Sequence, residues 1–263
     1  MFLERNGLRI RYEVIGRGED IILFLNGIFM RYESWYNIAS NLSKDFKIVL
    51  HDFKCQWFSD CPDKVSFEEH CNDIIALMDH LGVEKVHIVG TSYGGEVGIF
   101  FTSEYNERVK SLTIVSSTSE IDEEMYSKVL RWREGAKSKD PRVFTLSWLT
   151  DVYSSEFLEK NRGILDVIVE RLEGFNYDGA VKLIDAFLEL RQNPLTPLLN
   201  KIHVPTLVVF SLYDGIKPPS FSFKIHEKIK DSLLIGLPSG HASVTEKPRE
   251  LSLILKGFLK SIP

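Results

Sequence analysis

The chain has 263 residues, 44% of them hydrophobic and 26% charged, with a formal net charge of −5. These values suit one globular domain, or a core with a small insert. They leave no basic surplus to hold a phosphate backbone, so nucleic acid is not expected as a partner. Residues 1–16 are interrupted by Glu4, Arg5, Arg9, Arg11 and Glu13, which rules out the apolar segment of a signal peptide. No run approaches the roughly 18 apolar residues that span a bilayer. A cytoplasmic protein without membrane insertion is the expectation.

Residues 2–15 alternate polar and apolar around Asn6-Gly7, the pattern of a β-hairpin. Asp20 to Asn26 and Phe46 to Phe53 are apolar runs suited to strands buried on both faces. A helical spacing over Ser34 to Lys44 separates them. Ser66 to Leu81 predicts an amphipathic helix, with Ser66 and Glu69 as a capping box and Gly82 as the stop. A strand at Lys85 to Val89, a helix near Glu96 to Tyr105 and a strand at Val109 to Ser116 follow. The alternation resumes with strands at Thr206 to Phe210 and Ser232 to Leu237, and closes on a helix from Pro248 to Leu259. Parallel strands need crossover helices, so the expected fold class is α/β: a mostly parallel twisted sheet of about eight strands with helices on both faces.

Between Ser119 and Lys201 no strand-like run occurs, whereas Leu165 to Leu172 and Ala180 to Leu190 have helical spacing. A structureless loop of that length is implausible in a compact domain. The expected organisation is a core of residues 1–118 and 202–263 with a helical cap over 119–201. Cys55, Cys61 and Cys71 are few and odd in number, which argues against a disulfide framework. Their spacing fits no zinc pattern. Free thiols are expected, with no metal.

Gly90-Thr91-Ser92-Tyr93-Gly94 matches G-x-S-x-G directly after a predicted strand and before a predicted helix. Small residues let strand and helix approach closely, and the serine is forced into a strained, exposed turn at a helix N-terminus. A serine nucleophile needs a base. His241 follows the last predicted strand, at the sheet edge where Ser92 also lies. His70, His80, His87, His203 and His226 lie on or beside other elements, while His51 ends a strand and could line the site. The base needs an acid. Asp214 stands just after Thr206 to Phe210 and completes the chain order Ser, Asp, His, although Asp-Gly is also a common turn pair. Glu120 is the fallback acid. The oxyanion donors expected are the backbone N–H groups of Tyr93 and of Ile28, in the loop after the strand ending at Asn26-Gly27.

With these residues in place, the sequence resembles the α/β-hydrolase superfamily over nearly its whole length. Asn26-Gly27-Ile28 stands where that family usually carries His-Gly followed by an aromatic or small residue. His51 to Ser59 is similar to the family's D-x-R-G-x-G-x-S. Asp52 and Ser59 fit, Lys54 replaces arginine, and Cys55 and Trp57 replace both glycines. Leu199 to Asp214 and His241 to Pro248 match the runs that lead to the family's acid and follow its histidine.

The resemblance implies a serine hydrolase with a helical cap that cleaves a carboxylic ester or lactone through an acyl-enzyme on Ser92, without a cofactor. The substrate would be a small molecule, and the protein a monomer or homodimer. C–C bond hydrolysis, acyl transfer and cofactor-free perhydrolysis on the same triad stay open. So does a non-catalytic binding protein, which predicts an eroded triad. Asn26, Trp57 and Trp148 are the expected pocket residues. Tyr126, Trp132, Phe144, Tyr153 and Phe157 would also suit an apolar substrate, although large apolar side chains are mostly packing.

Overall fold

The computed structural model describes residues 1–262. Strands β1 (Phe2–Arg5) and β2 (Leu8–Gly16) form a hairpin. At its tip Asn6 and Gly7 both take positive φ, 54° and 73°, which the twist of a two-residue turn requires. Then follow β3 (Ile21–Leu25), α1 (Tyr36–Leu42), β4 (Lys47–His51), α2 (Phe67–His80), β5 (Val86–Thr91), α3 (Tyr93–Glu104) and β6 (Val109–Val115). Helices α4 (Glu123–Lys137), α5 (Pro141–Val152), α6 (Ser155–Lys160), α7 (Ile164–Arg171) and α8 (Tyr177–Leu188) come next. The chain ends with β7 (Thr206–Ser211), α9 (Pro219–Lys228), β8 (Leu233–Leu237), α10 (Ser243–Glu246) and α11 (Pro248–Lys260).

The eight strands form one sheet in the order β1-β2-β4-β3-β5-β6-β7-β8. The β1–β2 and β2–β4 pairs are antiparallel and the rest parallel. This is the α/β arrangement that the alternation of elements predicts. Side chains alternate across the strands. Ile22 and Phe24 of β3 pack with Trp35, Ile38, Leu251 and Leu255, under α1 and α11. Leu23 and Leu25 face the opposite layer, with Ile74 and Leu77 of α2 and Val97 and Phe101 of α3. Removing one of these buried side chains down to alanine costs about 2–5 kcal/mol. The register pairs Leu25 with Gly90, Val115 with Val209 and Ser211 with Leu237. The C-terminal ends of β3, β5, β7 and β8 therefore share one edge.

Local signals explain most boundaries. Ser66 caps α2, its Oγ accepting the Glu69 N–H at 3.2 Å. Helix α3 begins at Tyr93, three residues before the predicted start, because Gly94 and Gly95 are tolerated where sheet and helix must touch. Helix α9 escapes sequence reading because Pro218-Pro219 resembles a loop, whereas proline at the first helical position is a normal start.

One expectation is corrected. Cys55 and Cys61 form a disulfide, and only Cys71 is free. Cys55 and Trp57 adopt φ of 71° and 35°, and the Cys55 N–H bonds to the Asp60 carbonyl at 3.1 Å. This tight reversal brings two cysteines six residues apart face to face. Cysteine number and spacing carry no sign of such a fold-back. Among the described residues no helix is long and apolar enough to cross a membrane.

Candidate active site

The turn from β5 into α3 has almost no room. A Cβ on Gly90 would sit 2.3 Å from the Gly94 carbonyl oxygen, and one on Gly94 would sit 2.2 Å from that of Leu25. Only glycine lets the strand and helix meet this closely. Ser92, between them, adopts φ 52° and ψ −124°, a strained conformation held by its N–H on the Val115 carbonyl at 2.9 Å. Its Oγ then projects above the C-terminal edge of the sheet.

Two loops from that edge meet it. The loop after β8 carries His241, whose Nε2 lies 2.8 Å from Ser92 Oγ. The loop after β7 carries Asp214, whose Oδ2 lies 2.7 Å from His241 Nδ1. Asp214 Oδ1 accepts the N–H groups of Ile216 at 3.0 Å and Lys217 at 2.7 Å. The acid is thus locked by its own turn. The His241 loop is fixed by Glu246, which accepts from Gly240 N–H at 3.1 Å and from Ser154 Oγ at 2.6 Å. The sequence-predicted Ser92, Asp214 and His241 are therefore brought together in hydrogen-bond sequence. Glu120 is not part of it: its carboxylate accepts from Thr196 at 2.8 Å and pairs with Lys224. His51 is buried and packs edge-on to Phe53 with centroids 4.9 Å apart. Burial lowers its pKa to about 4, so it is a neutral core residue.

A second ionic pair, missed by sequence reading, reaches the same oxygen. Lys217 Nζ lies 3.2 Å from Ser92 Oγ, and 2.8 and 3.0 Å from the two carboxylate oxygens of Glu96. Their side chains are 4% and 0% exposed. Burial pushes the Glu96 carboxyl above its ordinary pKa, against the opposing pull of Lys217. A signal was present: Glu96 is the one charged residue in the run from Tyr93 to Phe101, and a charge buried there demands a partner.

Tyr93 opens α3, so its N–H has no carbonyl one turn earlier to bond. Its side chain is anchored in the core, with its hydroxyl 3.0 Å from His70 Nε2. The loop carrying Ile28 is held from below. Gln56 Nε2 donates to the carbonyls of Gly27 at 2.8 Å and Ile28 at 3.1 Å.

Asn26, expected in the pocket, faces away from it. It donates to Asp52 and Gln56, both at 3.1 Å, and accepts from Trp35 Nε1 at 2.9 Å. A side chain at the end of a buried strand is spent on internal bonds, and sequence cannot show which way it turns. Burial raises the Asp52 pKa to about 7, against its hydrogen bonds from Tyr32 N–H and Asn26.

Two cavities flank Ser92. The larger, about 300 Å³, includes His241, Met30, Trp57, Trp148, Tyr153 and Ile168 in its wall. Trp57 and Trp148 therefore do line a cavity, as do Trp132, Phe144 and Tyr153. Tyr126 instead lies under the Arg191 guanidinium, and Phe157 stacks on Tyr153. The smaller cavity, about 20 Å³, is lined by Ile28, Ser92, Tyr93, Val129, Trp132, Phe187, Ile216 and Lys217. His241 is absent from that wall.

Comparison with known proteins agrees with the fold. The chain is 21% identical to 3-oxoadipate enol-lactonase 1 of Acinetobacter baylyi, over 100% of this chain and 97% of the relative. An α/β hydrolase from a Medee basin deep-sea metagenome library superposes with a TM-score of 0.92 at 23% identity, covering 99% of this chain and 97% of the other. A thermophilic esterase from Thermogutta terrifontis gives a TM-score of 0.88 at 20% identity, covering 99% and 97%. The family model for the α/β hydrolase fold matches residues 20–248, and the chain belongs to that family.

Proposed function

We propose that the protein is a serine hydrolase that cleaves a carboxylic ester or lactone through an acyl-enzyme on Ser92. The observation that carries this reading is the unbroken chain of hydrogen bonds from Ser92 Oγ to His241 at 2.8 Å and from His241 to Asp214 at 2.7 Å. His241 Nε2 takes the serine proton as Oγ attacks the carbonyl carbon. The carbonyl π pair moves onto oxygen, where the N–H groups of Ile28 and Tyr93 receive it. Collapse expels the leaving oxygen, which takes the proton from His241. Water, activated by the same histidine, then releases the acid. The relatives named for enol-lactonase and esterase activity support this class of substrate. An intact Ser–His–Asp chain speaks against a non-catalytic binding protein.

The cavities orient the substrate. The leaving group must meet His241, so it occupies the larger, largely apolar cavity. The acyl group then points into the smaller one, whose 20 Å³ holds about one water-sized group. The favoured substrate is thus an ester with a short acyl group and a bulky, largely apolar leaving group. The segment 119–201 acts as the cap, supplying Val129, Trp132, Phe144, Trp148 and Phe187 to these walls.

The test pairs labelling by a fluorophosphonate probe, located by mass spectrometry, with an ester series of increasing acyl length. Labelling at Ser92 that is lost in His241→Ala, with acetate esters cleaved faster than octanoate esters, is expected. A folded protein that labels nowhere would overturn the reading.

A further inference from the structure

We propose that the buried Glu96–Lys217 pair is a second catalytic device at this site, in which the Lys217 ammonium donates to Ser92 Oγ and stabilises charge on that oxygen as the acyl bond forms and breaks. This rests on the reading of Ser92 as nucleophile.

An ammonium has three N–H donors and no acceptor. The geometry assigns all three: two to the Glu96 carboxylate oxygens at 2.8 and 3.0 Å, and one to Ser92 Oγ at 3.2 Å. The serine oxygen has one proton, directed at His241, and two lone pairs. Lys217 takes one lone pair and leaves the other for attack. As the proton moves to His241 Nε2 and the Oγ–carbon bond forms, charge on Oγ is met by a donor already in place. In deacylation Oγ is the leaving group, and the same donor receives it as His241 returns the proton. Lys217 keeps its own proton throughout and leaves the stoichiometry unchanged.

Packing alone gives no reason to place this pair among apolar groups. Lys217 Nζ lies 4.8 Å from the centre of the Phe187 ring, with Val129, Trp132 and Ile216 in the same cavity wall. Replacing a buried ion pair by apolar residues of similar volume is often neutral or stabilising. Glu96 is the positioning residue. It is set by the first turn of α3 and by the Thr118 N–H on its Oε1 at 2.8 Å, and it holds the ammonium aimed. Lys217 is set by the turn that also sets Asp214, through its N–H on Asp214 Oδ1 at 2.7 Å. One turn therefore positions both Asp214, which orients His241, and Lys217.

The experiment compares wild type with the double variants Lys217→Met with Glu96→Met, and Lys217→Met with Glu96→Gln, so that no buried charge is orphaned and no donor to Ser92 Oγ remains at position 217. Each is measured for melting temperature, for the second-order rate of fluorophosphonate labelling at Ser92, and for kcat and KM on an acetate ester. Melting temperatures close to wild type are expected, lower for the methionine pair, which leaves the Thr118 N–H without its acceptor. Labelling rate and kcat should fall about 10–100-fold with KM held within twofold. If the methionine pair fails to fold, the methionine–glutamine pair decides by the same criteria. Wild-type labelling and kcat in a folded double variant would overturn the proposal, as would a loss confined to stability or KM. His241→Ala separates the two readings. If it labels like wild type, the Ser92 mechanism itself fails. If it abolishes labelling while the double variants label normally, only the role of Lys217 fails.

Discussion

Two acid–base pairs converge on Ser92 Oγ, and they differ in what they can move. His241 and Asp214 meet at 2.7 Å on one side, Lys217 and Glu96 at 2.8 Å on the other. In each, a buried carboxylate holds a nitrogen against the same oxygen, an acceptor in His241 and a donor in Lys217. An imidazole can take a proton near neutral pH and return it, whereas an ammonium beside a carboxylate keeps its protons and offers only its field. In the proposed reaction the first pair is therefore indispensable and the second an accelerator. Geometry alone does not separate a proton shuttle from an electrostatic anchor. The identity of the nitrogen does.

The largest effect breaks the first pair. Ser92→Ala and His241→Ala are each expected to lower kcat/KM by about 10⁴-fold or more, measured with an acetate ester, and the double variant to lose no more than either single one. Asp214→Asn should follow at about 10⁴-fold. The asparagine can still accept the Ile216 and Lys217 N–H groups, but it turns an amide toward His241 Nδ1 and selects the wrong tautomer. A melting curve that stays at the wild-type temperature would show that the loss is chemical. Against these, the expected 10–100-fold loss in the Lys217/Glu96 double variants sharpens the contrast. If both pairs gave losses of the same size, the distinction between shuttle and anchor would collapse.

A smaller effect tests the cavity on the lysine side. Val129→Ala widens the wall of the small cavity. It should raise the kcat/KM ratio of butyrate to acetate ester about 10-fold, the worth of one or two methylenes in an apolar pocket. An unchanged ratio would place the acyl group elsewhere.

The smallest effect concerns stability below the site. The Asp52 pKa, pushed up to about 7 by burial, exceeds its unfolded value near 4. Between those values the folded state binds the extra proton, so this group makes stability fall as pH rises. His51 and His70, lowered by burial to about 4 and about 3, act in the opposite direction below about pH 6.5, where the unfolded chain binds their protons. Asp52→Asn keeps an oxygen to accept from Tyr32 and Asn26 and loses the charge. Its unfolding free energy relative to wild type should climb from pH 5 to pH 7 in urea titrations, by about one proton's worth of slope. A pH-independent difference would count against a raised Asp52.

The order of strands and helices, the sharp turn at Ser92 and the Ser, Asp, His succession were legible in the sequence. Each is written in a short stretch: an apolar run, a capping serine, glycines on either side of a serine, a polar residue just past a strand. Such patterns reflect local backbone sterics and one-face burial, which a few neighbouring residues suffice to express. The Cys55–Cys61 disulfide, the inward turn of Asn26 and the Glu96–Lys217 pair were decided only by the tertiary structure. Asn26 is claimed by Trp35 and by Asp52 and Gln56 of the loop after β4, from two separate parts of the chain. Glu96 and Lys217 are 121 residues apart and meet because β5 and β7 end at the same edge of the sheet, each beside β6. A buried glutamate in an otherwise apolar run announces that it must have a partner, because an unpaired charge there is prohibitively costly. Which lysine answers, and that it arrives within reach of the nucleophile, follows from strand register and a single turn after β7.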